Sequence, residues 1–312
     1  MKMETANILS NLKFLKMKIF ITGVEGFVGK ELVLQCQKLG IDYIGIDLVD
    51  KVMPNYYKVD ICSKDIINFI PEGTDAIIHL AGLTSDPSCK NKAYECFDAN
   101  VMATLNLINA AYQKKVKQFI FASSEWVYGS FKEGEVKDEN SLIDITQIDS
   151  EYALSKLVIE SNLRQKFRHG FCSVTILRFG IIYGLREKGS AVESIFNLVK
   201  TQNEVMVGSL KTGRCFIYVS DIVSGIIKSI GLNGFNILNL QGDSLITLKN
   251  LIETSEDILN KKVKMNELDS TNVSVRSISN KKIKKTLNWQ PKVNLREGLN
   301  RLNYFLSDKK GV

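Results

Sequence analysis

Histidine is almost missing from this chain: 312 residues include two, His79 and His169, far apart and without ligand-like spacing. That scarcity speaks against a zinc site or a histidine base, and leaves proton chemistry to tyrosine, lysine or a carboxylate. Long apolar runs are missing too. Nothing approaches the ~18 unbroken apolar residues of a membrane-spanning helix, so no membrane is expected as a partner. Met1 to Lys16 lacks the apolar run and small-residue cleavage site of a signal peptide and reads as a short tail, residues 1–16. Met17, directly before the first strand, is an alternative start of translation. No Cys-x-x-Cys pair occurs. Cys36, Cys62, Cys89, Cys96, Cys172 and Cys215 sit mostly in apolar segments, which reads as reduced core thiols in a cytoplasmic protein. The net charge of +7 has no concentrated basic patch with interleaved aromatics. Its densest cluster, Lys281-Lys282 with Lys284-Lys285, reads as a solvated face, so no nucleic acid is expected. A mild positive excess suits an anionic small substrate.

What is present is a regular alternation. Lys18-Ile-Phe-Ile-Thr22 is a short apolar strand that runs into Gly23-Val-Glu-Gly26-Phe-Val-Gly29. A helix follows with Val28, Leu32, Cys36 and Leu39 along one face, stopped by Gly40. Tyr43 to Ile46 is a second strand, ending in Asp47. Strand, glycine turn, helix, strand, acid is the dinucleotide-binding βαβ pattern. The glycines let backbone approach a pyrophosphate at the helix N-terminus, and Asp47 stands where a ribose-binding carboxylate belongs. Leu48 rather than Arg follows it, which favours NAD over NADP. A phosphate-binding P-loop is excluded, because five residues separate Gly23 from Gly29 and Lys30 is followed by Glu31.

Further strands are expected at Ala76–His79 and Val116–Ala122, with a helical stretch from about Phe97 to Tyr112. The strand Ser173–Arg178 follows, and Phe216–Asp221 with the helix Ile222–Ile230 reads as a return to the sheet. The fold expected is α/β, a Rossmann-like doubly wound parallel sheet with a smaller C-terminal α+β substrate lobe. Residues 17–179, with 216–240 returning to them, form the dinucleotide-binding domain; 180–215 and 241–312 form the lobe.

Between the strands Val116–Ala122 and Ser173–Arg178 lies a second motif. Ser150 is a plausible N-cap, and Glu151 to Glu160 runs without Gly or Pro, so it reads as a helix. Residues four apart share a helical face, so the Tyr152 phenol and Lys156 ammonium point the same way. A nearby cation favours phenolate, which makes the pair a base for a sugar or alcohol hydroxyl. Taken alone, the pair reads as a solvated helix face. His79, in an apolar strand, reads as a packed core residue, and Asn100 as either a local hydrogen bonder or a group near the site.

The motifs taken together resemble the extended short-chain dehydrogenase/reductases, the NAD-dependent epimerase/dehydratase family acting on nucleotide sugars. They are Gly23-x-x-Gly26-Phe-x-Gly29, Asp60-Ile61, His79-Leu-Ala-Gly82, Asn100, Ser123-Ser-x-x-Val-Tyr-Gly129, Tyr152-x-x-x-Lys156, and Arg178 with Tyr183-Gly184. Arg214-x-Phe-Ile-x-Val-x-Asp221 and Leu287-Asn-Trp289-x-Pro291 complete the series. The resemblance implies an NAD cofactor held by Gly23, Gly26, Phe27, Val28 and Gly29, by Asp47, Asp60 and Ile61, and by Leu80, Ala81, Gly82, Asn100, Tyr152 and Lys156. It implies a catalytic set of Ser124, Tyr152 and Lys156. The substrate, a nucleotide-diphosphate sugar, would be met by Ser124, Glu125, Trp126, Tyr152, Arg214 and Arg276. Family dehydratases carry two consecutive acids after the serine or threonine. Here Glu125 and Trp126 stand there, and an indole is no general acid or base. The activity expected is therefore 4-epimerisation through a transient 4-keto sugar. A dehydratase, decarboxylase or 4-ketoreductase of the same family, or a non-catalytic NAD(P)-binding regulator, is the alternative. By analogy the chain is expected to be a homodimer.

Overall fold

The computed structural model describes residues 17–185 and 189–308; the expected tail, 1–16, lies outside them. Two compact units emerge. Among the described residues, the first holds those up to Gly129, Ile143–Arg178 and Ile226–Leu238; the second holds Ser130–Leu142, those between Phe179 and Gly225, and those from Asn239.

The first unit is built on a seven-stranded sheet. Its strands are β1 (Ile19–Thr22), β2 (Tyr43–Asp47), β3 (Tyr56–Lys58), β4 (Ala76–His79), β5 (Gln118–Ser124), β6 (Ser173–Phe179) and β7 (Phe235–Leu240). Their order is β7-β6-β5-β4-β1-β2-β3, so the chain winds outward in both directions from the β1/β4 pair. Strands buried on both faces are largely apolar, and β1 and β4 are buried at every residue, their polar ends Thr22 and His79 hydrogen-bonded to each other. Parallel register sets Thr22 beside Ile46 and His79, and His79 beside Phe121. The carboxyl ends of the central strands, where ligands bind in such sheets, therefore line up.

The helix α1 (Phe27–Leu39) buries Gly29, Leu32, Val33 and Cys36. Gly40 ends it in the left-handed conformation that glycine adopts without steric cost, and its N–H closes on the carbonyls of Cys36 and Gln37. The helix expected from Phe97 is more divided. Two short helices, α2 (Asp86–Cys89) and α3 (Ala93–Phe97), lead into a π-helical turn at Asp98–Met102 and then α4 (Ala103–Gln113). After β5 a 3-10 turn spans Glu125–Tyr128. Then α5 (Glu151–Arg168) begins at Ser150, whose hydroxyl accepts the Ala153 N–H.

The expected return to the sheet at 216–221 is corrected. Ile217–Tyr218 makes a two-residue parallel ladder with Ile182–Tyr183, and a helix starts at Val219. The strand that joins the large sheet is β7. Its Asn236 and Asn239, residues depleted in strands, conceal it in the sequence.

The second unit is α+β. Its four-stranded sheet runs Ile246–Thr247, Gly213–Arg214, Val275–Ile278, Val136–Lys137. Helices Ala191–Thr201 and Leu248–Leu259 each start with a capping box. Trp289 is buried and donates its indole N–H to Ser224 Oγ at 2.8 Å, which gives it a packing role.

Candidate active site

At the end of β1 the chain must turn tightly and pass close to neighbouring backbone. Gly23 has φ +78°, and a Cβ there would sit 2.7 Å from the Ala81 backbone nitrogen. A Cβ on Gly29 would sit 2.0 Å from the Gly23 carbonyl oxygen. Only glycine fits either place. Helix α1 opens with no side-chain cap and no acid in its first turn. The positive end of its dipole therefore suits an anion such as a dinucleotide pyrophosphate. Asp47, at the end of β2, accepts the Glu25 N–H at 2.9 Å and the Leu48 N–H at 2.7 Å. Leu80 and Ala81 hang from β1 through Thr22, whose carbonyl accepts the Leu80 N–H and whose hydroxyl accepts the Ala81 N–H. Asp60 accepts the Cys62 N–H, and the Ile61 carbonyl accepts from Asn106. The glycines, Asp47, Leu80, Ala81 and Gly82 thus gather at the carboxyl ends of β1, β2 and β4. This cradle fits an NAD molecule.

His79 is a core residue. Its Nδ1 is 2.7 Å from the Thr22 hydroxyl and its Nε2 2.8 Å from that of Thr104. Burial pulls its pKa down to about 3, with the Lys156 charge acting the same way.

Ser124, Tyr152 and Lys156 are brought together where β5 ends against α5. Tyr152 is 7% exposed, Ser124 6% and Lys156 6%. Burial pushes the Tyr152 phenol up to about 12, while its hydrogen bond with Ser124 pulls it down. Burial also lowers Lys156 to about 8, against the opposing charge of Glu160. Desolvation is the first cause of both shifts. The Lys156 ammonium lies 4.9 Å from the Phe121 ring centroid and 5.8 Å from that of Tyr152. Ser124 Oγ accepts the Trp126 N–H at 3.3 Å and so caps the 3-10 turn that buries Glu125 completely.

Asn100, placed by the π-helical turn, is buried and largely engaged by protein. It accepts the Leu83 N–H at 2.7 Å and donates to the Leu83 carbonyl and to Ser155 Oγ. It locks the turn after β4 to α5.

Sequence reasoning missed two features of the first unit. Cys89 and Cys96 form a disulfide, with Cα atoms 5.2 Å apart, which corrects the reading of these two as reduced thiols. Both are fully buried against Tyr152, with Leu83 and Trp126 packed beside them. No spacing signal marks this pair, because the two cysteines meet only after α2 and α3 fold. The second is the ion pair of Glu160 with Arg178, buried beneath the Tyr152 helix.

In the second unit, Arg214 and Arg276 face each other in register on adjacent parallel strands. Arg214 forks onto the Ser274 carbonyl and hydroxyl. Arg276 is 7% exposed and stacks 4.8 Å from the Phe131 ring centroid, beside Lys137, which lies 4.7 Å from the same ring. Phe131 and Lys137 belong to the 130–142 stretch, which carries no motif in the sequence. Two arginines and a lysine in one sheet make a strongly cationic face, suited to a diphosphate.

The first unit is a Rossmann-like α/β unit in which a serine, a tyrosine and a lysine are buried together. The comparisons narrow this. The model of the NAD dependent epimerase/dehydratase family matches residues 19–240, and the chain belongs to that family. The UDP-glucuronate 4-epimerase of Thermodesulfobacterium geofontis is 28% identical over 309 residues, covering 90% of this chain and 93% of that protein. The dTDP-4-dehydro-6-deoxyglucose reductase of Escherichia coli is 29% identical over 308 residues, covering 91% and 96%. Among solved structures, the UDP-glucose 4-epimerase of Thermotoga maritima superposes with a TM-score of 0.81 at 22% identity, covering 94% of this chain and 100% of that one. The family spans nucleotide-sugar epimerases, decarboxylases and dehydratases. Among the described residues no helix is long and apolar enough to cross a membrane.

Proposed function

We propose that the protein is an NAD-dependent nucleotide-diphosphate-sugar epimerase that inverts C4 through a transient 4-keto intermediate. The observation that carries this reading is the buried Ser124, Tyr152 and Lys156 set with Trp126, a group with no titratable proton, beside it. NAD supplies the acceptor and the return source of the C4 hydride. With the cofactor bound, Tyr152 acts as its phenolate: it takes the C4 hydroxyl proton and later gives it back, and Ser124 holds the sugar oxygen in line with it. Lys156 is assigned to favour that phenolate and to hold the nicotinamide ribose. The cradle of Gly23, Gly26, Phe27, Val28 and Gly29, with Asp47 for the adenosine ribose, is assigned the rest of the cofactor. Asp60 and Ile61 are assigned the adenine edge. Arg214 and Arg276 are assigned the substrate diphosphate, and Glu125 and Trp126 the sugar. A homodimer is part of the same proposal.

One observation favours a second reading. Glu125 stands where dehydratases carry the first of their two acids, and it is fully buried. A 4,6-dehydratase that manages with one acid is therefore the competing assignment.

The Tyr152→Phe variant tests the base. It is expected to lose turnover by at least about a hundredfold, while NAD binding, followed by cofactor fluorescence, stays within about twofold, the ring packing being unchanged. Retained turnover contradicts the assignment.

A further inference from the structure

The proposed chemistry leaves the buried Glu160 without a role. Glu160 lies one helical turn beyond Lys156 and two beyond Tyr152, so all three share a face of α5. Its carboxylate, 4% exposed, is heavily engaged. Oε1 accepts from Ser123 Oγ at 2.5 Å and from Arg178 Nε at 3.0 Å, and Oε2 accepts from Arg178 Nη2 at 2.6 Å. Arg178 is 3% exposed, and its guanidinium lies 4.8 Å from the Tyr128 ring centroid. Ser123 directly precedes Ser124. Tyr128 closes the 3-10 turn after it, and Arg178 lies near the end of β6. One carboxylate therefore joins α5, β5 and β6 at the point where the candidate site is assembled.

A clamp alone does not need ions. A buried ion pair gains little net stability, and apolar residues of similar volume often do as well. What an apolar clamp lacks is negative charge next to Lys156. That lysine is buried against the Phe121 and Tyr152 rings, and the Glu160 charge opposes the desolvation that favours its neutral form. The other titratable groups facing it are His79 from β4, neutral at ordinary pH, and Tyr152 from its own helix. His79 carries no negative charge, and burial keeps the Tyr152 phenol protonated in the cofactor-free protein. Facing Glu160 are Arg178 from β6, Ser123 from β5 and, across the guanidinium, Tyr128.

We propose that Glu160 is a positioning residue for the reaction: it keeps Lys156 in its ammonium form and fixes Ser124 against the Tyr152 helix. This rests on the assignment of Tyr152 and Lys156 as the catalytic pair.

The test is the pH profile of kcat, whose alkaline limb reports loss of the Lys156 charge. Glu160→Gln removes the negative charge and leaves Arg178 positive, so the limb is expected to move down by about one pH unit. Arg178→Met leaves Glu160 without its counter-charge, so the limb is expected to move up. Opposite shifts from the two halves of one ion pair are the signature of the proposal. A clamp without an electrostatic role lowers kcat alike at every pH and leaves both limbs in place; that result, or shifts of the same sign, overturns it. Should one single variant fail to fold by circular dichroism, the other is read alone: a limb that moves in the stated direction supports the proposal, and an unmoved limb overturns it. Tyr152→Phe separates the layers. Full activity in that variant removes the underlying catalytic assignment, whereas its loss beside unmoved Glu160 limbs removes the positioning role alone.

Discussion

Lys156 is a cation held where the fold admits little water. Its pKa, lowered from 10.5 to about 8, means that the folded protein binds this proton less tightly than the unfolded chain does. The cost is fully present below pH 8, is relieved as pH rises from 8 toward 10.5, and is on the order of 3 kcal/mol. Lys156→Met, similar in length and apolar, is accordingly expected to raise the melting temperature of the cofactor-free protein at pH 7 while abolishing turnover. The gain in stability should vanish near pH 10.5, the unfolded value. A melting temperature that falls at pH 7 contradicts the picture of a strained, functional cation. Tyr152 and Lys156 were legible as a pair because residues four apart share a helix face, whereas Ser124, at the end of a strand, came only with the family resemblance. The state of the Tyr152 proton was not legible. It depends on how much water the surrounding chain removes, which no local pattern records.

The helical segment after β4 shows what element-level reading catches and loses. A helix ending near Tyr112 follows from its apolar face, and α4 does end at Gln113. The π-helical turn that aims Asn100 at the Leu83 backbone, and the folding back of α2 onto α3 that pairs Cys89 with Cys96, arise from tertiary packing against α5. The disulfide closes a short loop with a sequence separation of 7. For a loop that short, chain entropy gives about 2 kcal/mol of stabilisation. Cys89→Ser with Cys96→Ser should reduce stability to urea by about that amount. It should also lower kcat, because the pair backs the Tyr152 ring. Unchanged stability, together with four alkylatable thiols becoming six in the unreduced, denatured wild type, contradicts the bond. Glycine turns read more reliably than cysteines. The steric demands at Gly23 and Gly29 are set by the immediate β1–α1 connection, whereas a disulfide depends on where remote segments arrive.

At the scale of the whole molecule, the alternation of strands and helices predicted the doubly wound sheet, and the sheet is there with its order reversing at β1/β4. The assignment of segments to units was harder to see. Residues 130–142 group with the second unit, where Val136–Lys137 pairs with Val275–Ile278, a contact across nearly half the chain that no local pattern announces. Asn residues hid β7 for the same reason: burial within a completed sheet, not local propensity, makes that segment a strand. The same limit applies to function. Motif order gives the family, but the reaction turns on one or two positions after Ser124.

The direct measurement is proton NMR of nucleotide sugars incubated with the purified protein in deuterated water, using UDP- and dTDP-hexoses and the corresponding uronic acids. Hydride that leaves C4 and returns from a bound cofactor does not exchange with solvent. The account predicts a product inverted at C4 with no deuterium in the sugar. A 4-keto product carrying deuterium in the ring or at C6 contradicts it and assigns Glu125 the elimination chemistry.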